Sequence, residues 1–415
     1  MNILVIGKGG REHALAKALS QSALCETLYC APGNPGMADI ATLVPISDSD
    51  IQGLADFAKE HAIDLTVVGP ENALAAGIAD EFANRGLVVF GPTQAAAQVE
   101  SSKDFAKGLM KKYGIPTAGY QTFQELQPAI DYVKVHGAPI VIKENGLKAG
   151  KGVTVAMNEE EALEALEIAF AIEGNSVVIE DYLEGFEFSL IALVHGETVV
   201  ALECAQDHKR VGDEDTGPNT GGMGSYSPVK AITPELVETA METIMRPMAK
   251  ALVQEGVPFT GFLYGGLMVT KDGIQVIEFN ARFGDPEAEV ILCRLESDFV
   301  QAILDVMNNQ EPTLSWSPKT SHGVVLASVG YPASSTSGAT IEGVDDVDGL
   351  VYHMGTKLED GALKTNGGRV LMVVSMEDDL PTAMAKTYAE LEKIHCDKLF
   401  YRHDIGKKDL EHGQD

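Results

Sequence analysis

A single unit recurs through the first ninety residues and limits what this chain can fold into: a short apolar run, a glycine or proline turn, then a helical pattern. Residues 3–6 are apolar and end at Gly7-Lys8-Gly9-Gly10-Arg11-Glu12-His13-Ala14, after which a helical pattern runs to about Ser20. Residues 27–30 lead into Ala31-Pro32-Gly33-Asn34-Pro35-Gly36, residues 65–68 end at Gly69-Pro70-Glu71, and residues 87–90 end at Gly91-Pro92-Thr93. Short buried strands alternating with helices build a parallel, doubly wound sheet, because parallel neighbours need a crossover and the helix supplies it. The loops that follow the strands then gather at the carboxyl edge, where such sheets bind ligands.

That edge suits phosphate better than a nicotinamide dinucleotide. A dinucleotide site places an Asp or Glu at the end of the second strand and opens with GxGxxG. Here the second strand ends Tyr29-Cys30-Ala31-Pro32, and the first turn is GxGG. The formal charge of −30 disfavours nucleic acid and anionic membrane as partners, since both need positive surface. A site for anionic substrates must therefore be locally basic, which gives weight to the few clustered cations. No apolar run reaches the roughly 18 residues of a membrane span, and Met1-Asn2-Ile3-Leu4 lacks the basic start of a signal peptide. The five cysteines (25, 30, 204, 293, 396) lack metal-ligand spacing and fit reduced thiols in a cytoplasmic protein.

Around residue 101 the pattern changes. Ser101-Ser102-Lys103-Asp104-Phe105 opens a helix that runs to Tyr113, where Gly114-Ile115-Pro116 stops it. A strand ending at Lys143, a glycine-rich loop over 144–152, a strand at 153–156, a helix capped by Asn158 with Glu161, and a strand at 177–180 make a small unit. Residues 188–194 with 198–204, and 265–270 with 274–279, read as hairpins. Beyond about 325, alternating strands (324–329, 350–353, 370–375) surround one helix near 380–394, and 334–338 reads as a flexible loop.

Four stretches carry chemistry. Residues 207–224 hold Lys209 and Arg210, the acids Asp213, Glu214 and Asp215, and five glycines, with no apolar periodicity. Such a loop suits a phosphorylated ligand that backbone must approach closely. Lys143 ends an apolar strand, an expensive place for a cation unless it meets an anion. With Lys148 and Lys151 it can grip nucleotide phosphates, although GxxxxGK[ST] is absent. Glu180-Asp181-Tyr182-Leu183-Glu184-Gly185-Phe186-Glu187 offers acceptors for an adenine amino group or a ribose hydroxyl. In Glu278-Phe279-Asn280-Ala281-Arg282, strand alternation puts Glu278, Asn280 and Arg282 on one face and Ile277 and Phe279 on the other. Adjacent carboxylate and amide oxygens suit Mg²⁺, Arg282 can offset charge on a phosphoryl group, and Asp285-Pro286 reads as a helix cap and first position. His13 and His208 stand beside candidate phosphate loops but fit structural roles as well.

Together these motifs resemble the ATP-grasp superfamily and, within it, the glycinamide ribonucleotide synthetase family. The resemblance covers essentially the whole chain, through the opening Gly7–Ala14 loop, Lys143 with Lys148-Ala149-Gly150-Lys151-Gly152, His208 to Gly224, Arg282 to Glu287, and Tyr401-Arg402-His403-Asp404-Ile405-Gly406. It implies an α/β fold in three parts: a Rossmann-like, doubly wound parallel-sheet substrate-binding domain (1–101), an ATP-grasp domain (102–324, lid about 120–187), and a small C-terminal α+β domain (325–415). It implies ATP-driven ligation of glycine to 5-phosphoribosylamine in purine synthesis, through a glycyl phosphate, by a cytoplasmic monomer whose partners are small molecules alone.

By the same resemblance, Lys103, Lys143, Lys148 and Lys151 contact ATP phosphates, while Glu180, Leu183 and Glu187 hold adenosine. Glu278 and Asn280 hold Mg²⁺ or Mn²⁺, and Arg282 bridges phosphate and glycine. Gly9, Gly10, Asn34, Glu71, Asp213, Asn219, Thr220, Gly221, Gly222 and Asp285 bind substrate. Lys209 and Arg210 serve ATP, the sugar phosphate, or one each. One departure stands out: many ATP-grasp enzymes carry a second metal carboxylate on the preceding strand, which here reads Tyr264-Gly265-Gly266-Leu267-Met268. The polar tail after Gly406 is expected to be solvated.

Overall fold

The computed structural model describes residues 1–147 and 152–412. Its first layer is the expected parallel sheet, with strands in the order Thr42–Leu43, Thr27–Pro32, Asn2–Gly7, Leu65–Val68, Val89–Phe90. Asn2–Gly7 lies at the centre because its residues 3–7 are wholly buried between helices, a position that tolerates only apolar side chains. The helix Gly10–Ser20 starts in the first turn, where the Glu12 carboxylate accepts the Gly9 amide at 2.6 Å and occupies the positive end of the helix.

The middle of the chain builds two antiparallel sheets. One runs Thr198–Ala201, Phe186–His195, Thr260–Thr270, Gly273–Asn280. The other, the lid, runs Tyr120–Phe123, Val177–Asp181, Ile140–Glu144, Val153–Ala156. Helices Leu126–His136 and Glu159–Phe170 cover one face of the lid and share with it an apolar core of its own. Asn158 accepts the Glu161 amide at 2.9 Å, and Glu161 returns to the Met157 amide and the Asn158 side chain, so the capping box read from sequence is present.

A third antiparallel sheet runs Gln206–Asp207, Gly224–Ser227, Thr320–Ser328, Arg369–Glu377, Leu350–His353, backed by the helix Leu380–Leu391. Its first two strands come from the middle of the chain, so the boundary expected between 324 and 325 falls inside a strand of a shared sheet. Two expectations fail here. Residues 334–338 do not remain a loop throughout, because Ser337–Thr340 joins a small three-stranded sheet with Ala362–Asn366 and Thr356–Glu359. The tail after Gly406 is not solvated throughout: Lys407 is exposed, but Lys407–His412 is a helix whose buried Asp409 accepts the amides of Lys230 and Ala231 at 3.1 Å each.

Candidate active site

A cavity of about 800 Å³ opens between the lid and the central sheet. Its lid side is organised by Glu180, which is 4% exposed and takes the ammonium of Lys107 at 2.8 Å and that of Lys143 at 3.0 Å. The Glu180 carboxylate thus anchors two lysines, and it lines the cavity together with Leu183 and Glu187, the residues expected with it at adenosine. Lys143 also donates to the Ile277 carbonyl at 2.8 Å, tying the lid to the opposite wall. Lys103 caps the neighbouring loop by donating to the Gly146 carbonyl at 2.9 Å. Burial pushes the Lys107 ammonium down to about 8 against the pull of Glu180, and burial likewise lowers Lys103. Sequence reasoning missed Lys107, although its spacing of four from Lys103 puts both on one helical face. Lys148 and Lys151 lie outside the described residues.

The opposite wall is the strand Gly273–Asn280. Its alternation is broken by a bulge, since Gly266 pairs with Glu278 while Leu267 pairs with Val276. The extra residue is Ile277, which turns toward the cavity with Glu278 and leaves its carbonyl free for Lys143. Ile277 therefore does not share the inner face with Phe279, as strict alternation predicts. The strand ends at Asn280, and the Ala281 amide beyond it is taken by Glu100 at 2.8 Å. Arg282 reaches the cavity, where it meets Glu100 at 3.0 Å and Glu71 at 3.4 Å. Burial would raise the Glu71 carboxyl, but Arg282 and Arg11 win and hold it down to about 2.

Lys209 approaches Glu278 at 3.5 Å. Burial would raise Glu278, yet Lys209, Lys143 and Lys103 hold it down to about 2, so it stays an anion. Burial would lower Lys209, and Glu278 with its neighbours overturns that and raises it. Glu278 and Asn280 present oxygen donors side by side on the wall, and among the described residues no cluster of three or more His, Cys, Asp or Glu side chains stands ready for a metal. Two protein oxygens with room for phosphates and water fit Mg²⁺, which shares its coordination with both.

The loop after Asp207 folds as a short hairpin, Arg210–Gly212 with Thr216–Asn219. Asn219, Thr220 and Gly221 line the cavity, as do Arg210, Glu71 and Asp285. Arg369, from the third sheet, braces this end: it meets Asp285 at 2.9 Å and donates to the Gly221 carbonyl at 2.8 Å. Asp285 is consequently turned away from capping the helix Glu287–Leu292, which has Pro286 at its cap position and no side-chain cap. Two expected substrate residues spend their side chains on other protein groups. Asp213 holds the His403 amide at 2.7 Å on an exposed face. Asn34 spends its amide on the carbonyls of Lys8 and His353, both at 2.8 Å, and accepts Gly36 at 3.0 Å. Gly10 packs on Glu289, whose Oε1 would sit 2.2 Å from an added Cβ. Gly9 is near Asp285, and Gly222, at φ +115, gives Asp207 and Pro286 room that a Cβ would fill. His13 and His208 are structural: His13 accepts the His353 amide at 3.0 Å and His208 accepts the Gly406 amide at 3.1 Å.

A lid hinged over an antiparallel sheet, with lysines on one side and an ionised carboxylate beside an amide on the other, defines a class: this is an ATP-grasp enzyme. The comparisons with known proteins place it more closely. The chain matches the phosphoribosylglycinamide synthetase N domain over residues 1–100, the ATP-grasp (A) domain over 101–288 and the C domain over 321–408. The chain belongs to the phosphoribosylglycinamide synthetase family. It is 53% identical to the phosphoribosylamine–glycine ligase of Halalkalibacterium halodurans over 415 residues, 98% of this chain and 97% of the relative. It is 49% identical to that of Streptococcus pneumoniae serotype 4, over 99% of this chain and 100% of the relative. The crystal structure of the Thermotoga maritima phosphoribosylamine–glycine ligase superposes with a TM-score of 0.85 at 33% identity, covering 98% of this chain and 100% of that one. A biotin carboxylase from Campylobacter jejuni shares the fold at a TM-score of 0.70 and 16% identity.

Proposed function

We propose that this chain joins glycine to 5-phosphoribosylamine, driven by ATP, to give glycinamide ribonucleotide, ADP and phosphate. One observation carries the chemistry: Lys103, Lys143, Lys209, Arg282 and an ionised Glu278 converge on a single cavity beneath the lid. That set suits phosphoryl transfer, in which the protein positions groups and stabilises charge and forms no covalent bond of its own.

A glycine carboxylate oxygen attacks the γ-phosphorus and the bond to ADP breaks. Lys143 and Lys103 neutralise the phosphates, and Arg282 stabilises charge on the transferring group. The ribosylamine nitrogen then attacks the carbonyl carbon of the glycyl phosphate. The C–N bond forms, the C–O bond to phosphate breaks, and the nitrogen's proton leaves with the phosphate. Glu278 and Asn280 would hold Mg²⁺ or Mn²⁺, which would supply positive charge against the phosphates. Leu183 and Glu187 flank adenosine, and Asn219, Thr220, Gly221 and Asp285 face the phosphoribosylamine, with Lys209 and Arg210 in the same wall.

The test is phosphate release from ATP with glycine and freshly made phosphoribosylamine. Release is expected only with both present. Hydrolysis indifferent to either substrate, from folded protein, would overturn the assignment.

A further inference from the structure

Asp181, Glu184 and Glu187 line the cavity as exposed acids, but two further lining carboxylates, Asp207 and Glu287, are drawn out of solvent and have no cation among the described residues. Asp207 closes the strand Gln206–Asp207, and its Oδ1 is buried with no hydrogen-bond partner among the described residues. Glu287 is 2% exposed, and its Oε1 takes only hydroxyls, from Ser189 at 2.8 Å and Tyr264 at 3.0 Å. Neither forms an ion pair among the described residues, whereas the nearby acids Glu71, Glu278 and Asp285 all do. The two are close enough to repel: burial first, then the charge of Glu287, pushes the Asp207 carboxyl well above its usual range, against the pull of Lys209 and Arg369. Leaving such a pair buried is costly, and the natural remedy is a cation set between them.

We propose that Asp207 and Glu287 together seat the ammonium group of glycine. The assignment rests on the ligase reading above and adds to it where the amino acid lies and how it is told from other small acids. Glycine is a zwitterion with one methylene between its charges. With the ammonium on Asp207 and Glu287, its carboxylate turns toward Lys209 and Arg282, the cations flanking Glu278. The seat also keeps the α-nitrogen protonated. Its lone pair is then withheld, and the ribosylamine remains the sole amine nucleophile when the glycyl carbonyl is activated. Gly222 admits this geometry, since a Cβ there would meet Pro286 Cδ at 2.4 Å and Asp207 Oδ1 at 2.6 Å.

The experiment measures steady-state KM for glycine and for ATP in the wild type, Asp207→Asn and Glu287→Gln, together with the preference for glycine over glycolate, which has a hydroxyl in place of the ammonium. Each variant is expected to raise the glycine KM at least tenfold, leave the ATP KM within twofold, and shrink the glycine-over-glycolate preference. Removing one of two repelling carboxylates leaves the melting temperature of the free protein unchanged or higher, while the upward shift produced by glycine in the wild type disappears. An unchanged glycine KM in both variants overturns the seat and leaves the ligase standing. Wild-type turnover indifferent to glycine overturns the ligase itself. Titration with Mn²⁺ alone covers the remaining occupant: a metal site present in the wild type and lost in Asp207→Asn would show that the missing cation is a metal, and the proposal would fall.

Discussion

At the scale of single residues, this site is built from charges that burial makes expensive and partners make tolerable. Glu180 pins Lys107 and Lys143 at 2.8 and 3.0 Å with all three side chains at most 5% exposed. Breaking a buried pair from one side leaves an uncompensated charge, so Lys107→Met is expected to lower unfolding free energy by about 3 kcal/mol. Chemical denaturation measures this, and a change under ~0.5 kcal/mol would show that Lys143 alone satisfies Glu180. Glu278→Ala removes the ionised wall carboxylate and is expected to cut turnover at least a hundredfold with the fold intact by circular dichroism. Activity retained within about tenfold, or ~1.4 kcal/mol of barrier, would refute its role with the metal. Glu278, Asn280 and Lys143 were legible in the sequence because each sits at a strand end with an unusual neighbour. Asp207 was not, since an acid at the mouth of a polar loop looks solvated until the fold buries it.

At the scale of elements, local signals are legible in the sequence and their interruptions are not. The capped helices follow from short-range chemistry: Ser102 accepts the Phe105 amide at 3.2 Å, and Gly114, at φ +68, ends that helix. Asn158→Ala is expected to cost about 1 kcal/mol. The lid has its own core, so the loss should be local: amide exchange speeds up over 159–170 and stays unchanged in the central sheet. Uniform acceleration would mean that lid and core unfold together. The bulge at Ile277 had no sequence signal, because the extra residue is defined by its partner strand. Asp285 likewise had the composition of a cap and was drawn off by Arg369, some eighty residues away in the chain.

At the scale of the whole molecule, the domains share sheets and side chains, and their stability is coupled to pH. Four buried imidazoles titrate low: His13 and His208 at about 3, His322 and His353 at about 4. Burial is the main cause in each, joined by His353 for His13 and by Arg402 for His208. In the unfolded chain they take up protons near pH 6.5, so below that point the unfolded state binds more protons than the folded one. Stability from this source is complete above about pH 6.5 and falls towards pH 4, by roughly 1.4 kcal/mol per unit for each imidazole. The melting temperature should therefore drop steeply across that window, with proton uptake on unfolding visible by calorimetry at pH 5. A flat profile between pH 6.5 and 4.5 would contradict it.

The sequence by itself determined the parallel first sheet, the order of strands and capped helices, and the chemical kinds of group available for phosphate and metal. Those follow from periodicity, turn residues and caps, which act over a few residues. Only the tertiary structure decided which charges meet. It set Lys107 on Glu180, Arg369 across a domain boundary on Asp285, and Asn34 and Asp213 on structural partners. It also left Asp207 and Glu287 without a cation among the described residues. A side chain's charge is written in the sequence, but its cost depends on burial and on neighbours far along the chain, and those exist only once the sheets have closed on one another.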